Sequence, residues 1–190
     1  PAPALQAPAI SVAKGGRLYD KWWTEAALPA PVGNQALWAT QTTNTRTGLD
    51  TWRCKECHAW DYLGKDGAYG SGSHKTGFAG VFDAGKNKTA EQLTAIMKGA
   101  TNPNHSFSAV LSDALLGDLV NFMKEGLIDP RPYIDYATKK PKQANVTRGK
   151  ELYSTACAAC HGANGTQLNF GSAAEPEYVG TVAADNPQEF

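Results

Sequence analysis

The stretch Cys54-Lys55-Glu56-Cys57-His58 recurs later in the chain as Cys157-Ala158-Ala159-Cys160-His161. These two pentapeptides contain all 4 cysteines and half of the 4 histidines of a chain of 190 residues. The other two histidines are His74 and His105. Because the pattern Cys-x-x-Cys-His occurs twice, few kinds of site can account for these side chains. We expect the fold to be arranged around the two motifs.

Two cysteines three positions apart, followed at once by a histidine, are the attachment pattern of a c-type haem. Each thiol can form a thioether with one vinyl group of the porphyrin, and the histidine then binds the iron as proximal ligand. The sequence therefore predicts two covalently attached haem c groups. The predicted attachment residues are Cys54, Cys57, Cys157 and Cys160, and the predicted proximal ligands are His58 and His161.

Two other uses of the same residues are a zinc site and a redox-active disulfide. Zinc ribbons and fingers pair two cysteine knuckles about 12 to 20 residues apart, whereas these motifs lie much further apart in the chain. A thioredoxin-like motif needs a β-α-β context, and the sequence shows none. The histidine in register both times favours haem over either alternative.

The composition excludes several classes of function. The chain has 18 basic and 18 acidic residues, so it lacks the basic surface that binding to nucleic acid requires. No apolar run is long enough to cross a bilayer as a helix, so we expect no span of a membrane. The 19 glycines and 11 prolines predict long irregular loops between the helices.

Residues 1–13 are predicted to be a tail rich in proline and alanine. Residues 1–8 have neither the basic start nor the apolar centre of a signal peptide. Covalent attachment of haem implies assembly outside the bacterial cytoplasm. We therefore expect a periplasmic or extracellular protein from which the export signal has been removed.

The first part of the chain predicts one helix and two loops. Leu18 and Trp22 share a face at i, i+4 spacing, which predicts a helix over Arg17–Ala27. Residues 32–52 carry Trp38 and Trp52 without periodicity and are predicted to be a loop packed over a haem edge. Residues 61–85 are dense in glycine, which predicts a wrapping loop rather than a long helix.

Two further helices are predicted beyond this loop. Thr89 is a suitable N-cap for a short helix that ends near Gly99. Ser112 begins a second helix, with a broad apolar face that continues to Gly126. Residues 127–146 contain three prolines and a basic cluster and are predicted to be a linker.

A short repeat precedes both cysteine motifs. The stretch Gly16-Arg17-Leu18-Tyr19 resembles Gly149-Lys150-Glu151-Leu152-Tyr153. The chain between Gly16 and Cys54 is much longer than the chain between Gly149 and Cys157. The first unit is therefore predicted to carry an insertion, which is the loop that contains Trp38.

These motifs resemble the class I cytochrome c family, as a dihaem member with two fused units. The resemblance covers residues 14–126 as a first unit and 147–190 as the start of a second, incomplete one. It implies a mainly α fold around covalent haem. It also implies the chain order of helix, haem motif, wrapping loop, short helix, distal-ligand loop and closing helix.

The family's distal iron ligand, usually methionine, comes just before the closing helix. In this chain that position holds His105. The resemblance therefore implies that His58 and His105 ligate the first iron. Met97 and Met123 lie among apolar residues at helical spacing and are the alternative ligands, although core packing is the commoner role at such positions.

The second unit departs from the family pattern. Residues 162–190, which follow His161, contain no methionine, no further histidine and no predicted closing helix. Either the family's C-terminal part is absent here or another group completes the site. The fourth histidine, His74, has two possible roles. It is either a surface or haem-propionate contact, or a ligand to a second iron, within the chain or in a neighbouring copy.

Three functions follow from these expectations. The first is electron transfer between redox proteins, with no enzymatic activity. The second is conduction along a head-to-tail filament of copies, in which His74 of one chain completes the haem site of the next. The third is catalysis or gas binding at a second haem whose distal side is open.

Overall fold

The computed structural model describes residues 9–185 and residue 187, and the fold over these residues is mainly α. The predicted mainly α, cytochrome c-like fold is confirmed. The chain divides between Asp129 and Pro130 into two compact units. The helices of the first unit are α1 (Ala9–Glu25), α2 (Cys54–His58), α3 (Phe82–Asn87), α4 (Ala90–Met97) and α5 (Asp113–Asn121).

Helix α1 forms through the apolar face that the sequence predicts, but its bounds differ. Leu18 is 0% and Trp22 is 1% exposed, so the i, i+4 pair lies in the core. The helix begins at Ala9 rather than Arg17 and continues through two glycines. Glycine lowers helix propensity, which is why the sequence predicts a later start; packing of this segment against α5 overrides that local preference.

The packing of α1 against α5 depends on a close approach at Gly15. A Cβ atom on Gly15 would lie 2.1 Å from the carbonyl oxygen of Asp118. The same aspartate accepts a hydrogen bond from Ser11 and forms an ion pair of 3.3 Å with Lys14. Gly15 therefore allows two helix backbones to meet while the polar groups beside them are paired.

The two helices predicted downstream are confirmed, with their caps. Thr89 accepts from the backbone of Gln92 while the Gln92 side chain accepts from the backbone of Thr89, which is a capping box. Ser112 caps α5 through the backbone of Leu115. Helix α5 continues as a π-helical turn, Phe122–Gly126, in which Lys124 donates to two carbonyl groups around the end of α3.

The loops of the first unit contain more regular structure than the sequence indicates. The insertion forms two 3-10 turns, Ala36–Thr40 and Gly48–Trp52. The glycine-dense segment is a loop closed by a bridge between Gly64 and Ala79, but α3 begins inside it at Phe82. Helix α3 was missed because a helix of 6 residues is too short to show a period.

The second unit consists of short elements. A hairpin of β1 (Ile134–Asp135) and β2 (Lys140–Pro141) lies in the segment predicted as a linker. Then follow α6 (Val146–Leu152), a π-helical turn (Tyr153–Cys157), α7 (Ala158–His161) and α8 (Val179–Asp185). The sequence predicts no closing helix after His161; α8 is a short helix there, and its 7 residues are too few to form a recognisable apolar stripe.

The repeat that precedes each cysteine motif has a structural counterpart. Tyr19 donates its hydroxyl hydrogen to the carbonyl of Ala59, and Tyr153 donates to that of Gly162, both over 2.7 Å. Ala59 and Gly162 each follow the motif histidine and have positive φ angles of 67° and 80°. Equivalence of the tyrosines aligns Gly15, rather than Gly16, with Gly149, so the insertion in the first unit is one position longer than the glycine alignment indicates.

The contact at Gly15 leads to a test of the fold. We expect Gly15→Ala to destabilise the first unit by about 1 to 3 kcal/mol, because a methyl group forces α1 away from α5. Gly117→Ala is the matched control, since a Cβ atom on Gly117 meets nothing within 4 Å. The control should stabilise α5 by about 0.5 to 1 kcal/mol, and denaturant unfolding measures both. Equal effects of the two substitutions would contradict the packing described.

Candidate functional site

Two histidines from separate elements face each other in the first unit. His58 ends α2, and His105 ends a 3-10 turn, Pro103–His105, that precedes α5. Their ring centroids lie 6.1 Å apart and their planes are almost perpendicular, at 86°. The fold thus brings together a residue of the cysteine motif and one that lies far along the chain from it.

Each of these imidazoles is oriented by a backbone carbonyl group. His58 Nδ1 lies 2.6 Å from the oxygen of Ala79, and His105 Nδ1 lies 3.3 Å from the oxygen of Ile96. Nδ1 therefore acts as the donor in both rings, which leaves the lone pair of Nε2 for another partner. Carbonyl bonds of this kind fix the tautomer and the orientation of histidines that bind metals.

The ring separation fits a single metal ion between the two histidines. With about 2 Å for each metal–nitrogen bond and roughly 1 Å from nitrogen to ring centre, two axial imidazoles have centroids about 6 Å apart. The observed 6.1 Å agrees with that value. Burial lowers the pKa of His58 to about 4, against the opposing effect of the Ala79 carbonyl, so the ring is neutral at physiological pH.

The cavities around this pair have the character of a haem slot. Two cavities, of about 50 Å³ and about 150 Å³, are both lined by Cys54, His58, His105 and Phe107. The motif cysteine and both histidines thus border the same space. The rest of the larger cavity's wall is apolar and includes Leu93, Ile96, Met97, Leu111, Leu119 and Met123.

The two methionines belong to this apolar wall. Met97 is 8% exposed at the end of α4, and Met123 is 7% exposed in the π-helical turn. Their burial among leucines matches the predicted role in core packing. Ligation of the first iron by His105 rather than by a methionine stays a prediction, with the ring geometry above in its favour.

The cysteines of the first motif are free thiols that border the cavity beside His58 and His105. None of the four cysteines forms a disulfide. Burial raises the pKa of Cys54 and Cys57 to about 12, so both thiols stay protonated while nothing is bound to them. Among residues 9–185, no group of three histidine, cysteine or acidic side chains is placed to hold a metal. The cavity and the cysteines fit a haem thioether better than a zinc site.

A buried carboxylate within the first motif was not predicted. Glu56 is 0% exposed. Its oxygens lie 3.2 Å from Asn44 Nδ2, 3.4 Å from Arg46 Nε, 3.1 Å from Lys55 Nζ and 3.1 Å from His74 Nδ1. Burial alone would raise the pKa of Glu56, but His74 and Lys55 lower it to about 2. The carboxylate therefore connects the insertion and the wrapping loop to the turn of the first Cys-x-x-Cys-His motif.

His74 belongs to this cluster. Its Nδ1 lies 3.1 Å from Glu56, and its Nε2 lies 2.9 Å from a guanidinium nitrogen of Arg46. The ring also lies 4.8 Å from that of Tyr69. Because arginine can only donate, Nε2 accepts here and its lone pair is engaged. Ligation of a second iron by His74 stays a prediction, and it requires Arg46 to release this nitrogen.

The second motif lies in a more open setting. Cys157 and Cys160 are exposed, and the His161 ring lies 5.8 Å from that of Phe170. The His161 carbonyl accepts from the backbone of Gln167, as the His58 carbonyl does from Gly64. His161 Nδ1 is buried and has no hydrogen-bond partner among the described residues, unlike Nδ1 of His58. The haem-binding turn repeats, but the carbonyl that orients the first histidine does not.

The Glu56 cluster predicts an effect on stability. We expect Glu56→Gln to destabilise the protein by about 2 to 4 kcal/mol at neutral pH, because the buried Lys55 and the half-buried Arg46 lose their counter-charge. Asp66→Asn is the control, since Asp66 pairs with Lys65 at the surface with 69% of its side chain exposed. That change should stay within about 0.5 kcal/mol. Denaturant unfolding measures the free energy of unfolding of both variants. If Glu56→Gln lowers it no more than Asp66→Asn does, Glu56 does not stabilise the protein.

Comparison with protein families supports haem binding by the second unit. Residues 144–188 match the family model described as cytochrome c oxidase, cbb3-type, subunit III. Searches of curated proteins and of solved structures found no match. Within residues 9–185, no helix is both long and apolar enough to cross a membrane. The family match, which includes the second Cys-x-x-Cys-His motif, supports a c-type cytochrome with covalently bound haem c and a role as an electron carrier.

Proposed function

We propose that the chain is a dihaem cytochrome that carries electrons between redox proteins in the periplasm or outside the cell. The observation that carries this proposal is the pair of opposed imidazoles, His58 and His105, at 6.1 Å. Both Nε2 atoms remain for iron because both Nδ1 atoms are bonded to carbonyl groups. When bound, the haem supplies an iron that gains or loses one electron.

The surroundings of the pair suit electron transfer rather than catalysis at the first haem. If His58 and His105 both hold the iron, they would leave it no open position for a substrate. The apolar wall formed by residues such as Leu93 and Leu119 excludes water from the pocket. Two histidine ligands also keep the reduction potential lower than a methionine ligand does. The first site is therefore suited to a low-potential carrier, and the second haem extends it into a relay.

A second candidate function is binding of a small ligand or catalysis at the second haem. It is favoured by the exposure of Cys157 and Cys160, which leaves the second haem more accessible than the first. A third is an assembly of copies in which His74 ligates the second iron of a neighbour. That arrangement costs the hydrogen bond between Arg46 and His74 and is the less favoured of the two.

The number of haems is the first property to test. We expect the intact mass to equal that of the chain plus two haems, and both should remain bound in acidified organic solvent because thioethers survive denaturation. Replacing Cys157 and Cys160 with serine should remove one haem, as should the same change at Cys54 and Cys57. A protein with one haem, or with cysteines that react with a thiol probe, would refute the dihaem proposal.

The ligands of the first iron are tested by substitution of His105. His105→Ala should convert one haem from low spin to high spin in optical and electron paramagnetic resonance spectra, because the distal nitrogen is lost. His105→Met should raise one reduction potential. Met97→Leu and Met123→Leu are the controls and should leave the spectra unchanged. The reverse pattern would assign the distal ligand to a methionine, and a high-spin component in the unaltered protein would favour the open second haem.

A further inference from the structure

The side chain of Gln35 is buried in a segment that the sequence predicts to be a loop packed over a haem edge. It is 6% exposed, although it lies in the insertion of the first unit. Its Nε2 donates to the carbonyl of Asn104 over 2.6 Å, and its Oε1 accepts from the backbone nitrogen of Leu37 at 2.5 Å. Asn104 immediately precedes His105. A buried amide thus reaches from the insertion to the turn that carries the predicted distal ligand.

The same glutamine is attached to the segment that leads into the first haem motif. Its backbone nitrogen donates to Thr51 Oγ1 over 2.9 Å, and Thr51 is 1% exposed. The Thr51 hydroxyl in turn donates to the carbonyl of Gly48 over 2.7 Å. Thr51 lies three positions before Cys54. Gln35 therefore connects the approach to the proximal histidine with the turn of the distal histidine, without any contribution from iron.

Apart from the bond between His105 Nδ1 and the carbonyl of Ile96, the turn that bears His105 is held mainly by local bonds. Residues 101–104 are exposed. The Asn102 side chain accepts from the backbone of Asn104 inside the turn, over 3.0 Å. Beyond the turn, the backbone of Phe107 donates to Met97 over 2.9 Å. The bond from Gln35 is thus a long-range side-chain bond made to the residue next to His105.

We infer that Gln35 is a positioning residue that holds the His105 turn against the first haem and slows release of His105 from the iron. The inference rests on the proposed ligation of that iron by His58 and His105. A ligand carried on a short exposed turn dissociates when the turn moves outward. Outward movement must first break the buried bond to Asn104, so the bond opposes the loss of the ligand.

Carbon monoxide provides the test, because it binds the reduced first haem only after His105 has left. The probe is applied to the full dihaem protein reduced with dithionite, and binding is followed by stopped-flow absorbance. The phase whose rate changes in His105→Ala belongs to the first haem. Gln35→Met, which has similar length and no donor, should accelerate that phase by about tenfold, equivalent to about 1.4 kcal/mol.

The matched control is Gln41→Met in the same insertion. The Gln41 side chain bonds to Thr43 and Asn44 and does not contact the His105 turn. Its carbon monoxide rate should equal that of the unaltered protein. Thermal unfolding of both variants is measured alongside. If Gln35→Met lowers the unfolding temperature but leaves the carbon monoxide rate unchanged, Gln35 is only a packing residue and the inference is wrong.

A third variant separates the two bonds of the Gln35 side chain. Gln35→Glu keeps an oxygen for the Leu37 nitrogen but loses the amide donor to Asn104. An ionised carboxylate should accelerate carbon monoxide binding as Gln35→Met does, and measurement from about pH 4 to about pH 9 covers its ionisation, because burial raises a glutamate pKa from its usual value of about 4.3. A rate equal to that of the unaltered protein at every pH would show that the Leu37 bond matters instead, and would overturn the inference.

Failure of the inference can be told from failure of the proposed function. If His105 does not ligate the first iron, His105→Ala leaves the spectra and the carbon monoxide phases unchanged. If His105 ligates the iron but Gln35 does not hold the His105 turn, His105→Ala changes the spectra and the carbon monoxide phases. Gln35→Met and Gln41→Met then bind carbon monoxide at the same rate. The first result rejects the ligand pair, and the second rejects only the role of Gln35.

Discussion

The two carbonyl bonds to the opposed histidines are the constraint on which the first unit depends. They make Nδ1 the donor of each ring, which leaves each Nε2 lone pair free, and the ring centroids lie 6.1 Å apart. The carbonyl groups come from Ala79, at the end of the wrapping loop, and from Ile96, on α4. The loop and the short helix must therefore be in place before the two rings can share one metal ion.

The insertion is predicted from the sequence to be a loop, but its residues bond to one another and to the rest of the first unit. Trp38 and Trp52 donate their indole hydrogens to the carbonyl groups of Arg46 and Gly33, which closes the segment on itself. Arg46 then reaches the buried carboxylate of Glu56, and Gln35 reaches the turn before His105. Because each of these polar groups is paired, the segment can be buried against the haem slot at little cost.

The two units share one haem-binding turn in different surroundings. In both units, a tyrosine hydroxyl donates to the carbonyl of the residue that follows the motif histidine. The carbonyl of the histidine itself accepts from a backbone nitrogen a few positions further along the chain. The first turn contains Glu56 in a cluster of cations, whereas the second contains Ala158 and Ala159. In the proposed relay, the two haems therefore differ in the charge around them and in exposure, which are properties that set reduction potentials.

The sequence by itself determined the chemistry, because the cysteine motifs, the apolar face at Leu18 and Trp22 and the caps at Thr89 and Ser112 are local patterns. The resemblance to the cytochrome c family added His105, which lies just before α5, where that family has its distal ligand. Only the tertiary structure decided what depends on distant contacts: the early start of α1 across Gly15, the burial of Glu56 and the reach of Gln35 to Asn104. A bond that spans 69 positions leaves no periodic signal in the chain, so no reading of neighbouring residues could reveal it.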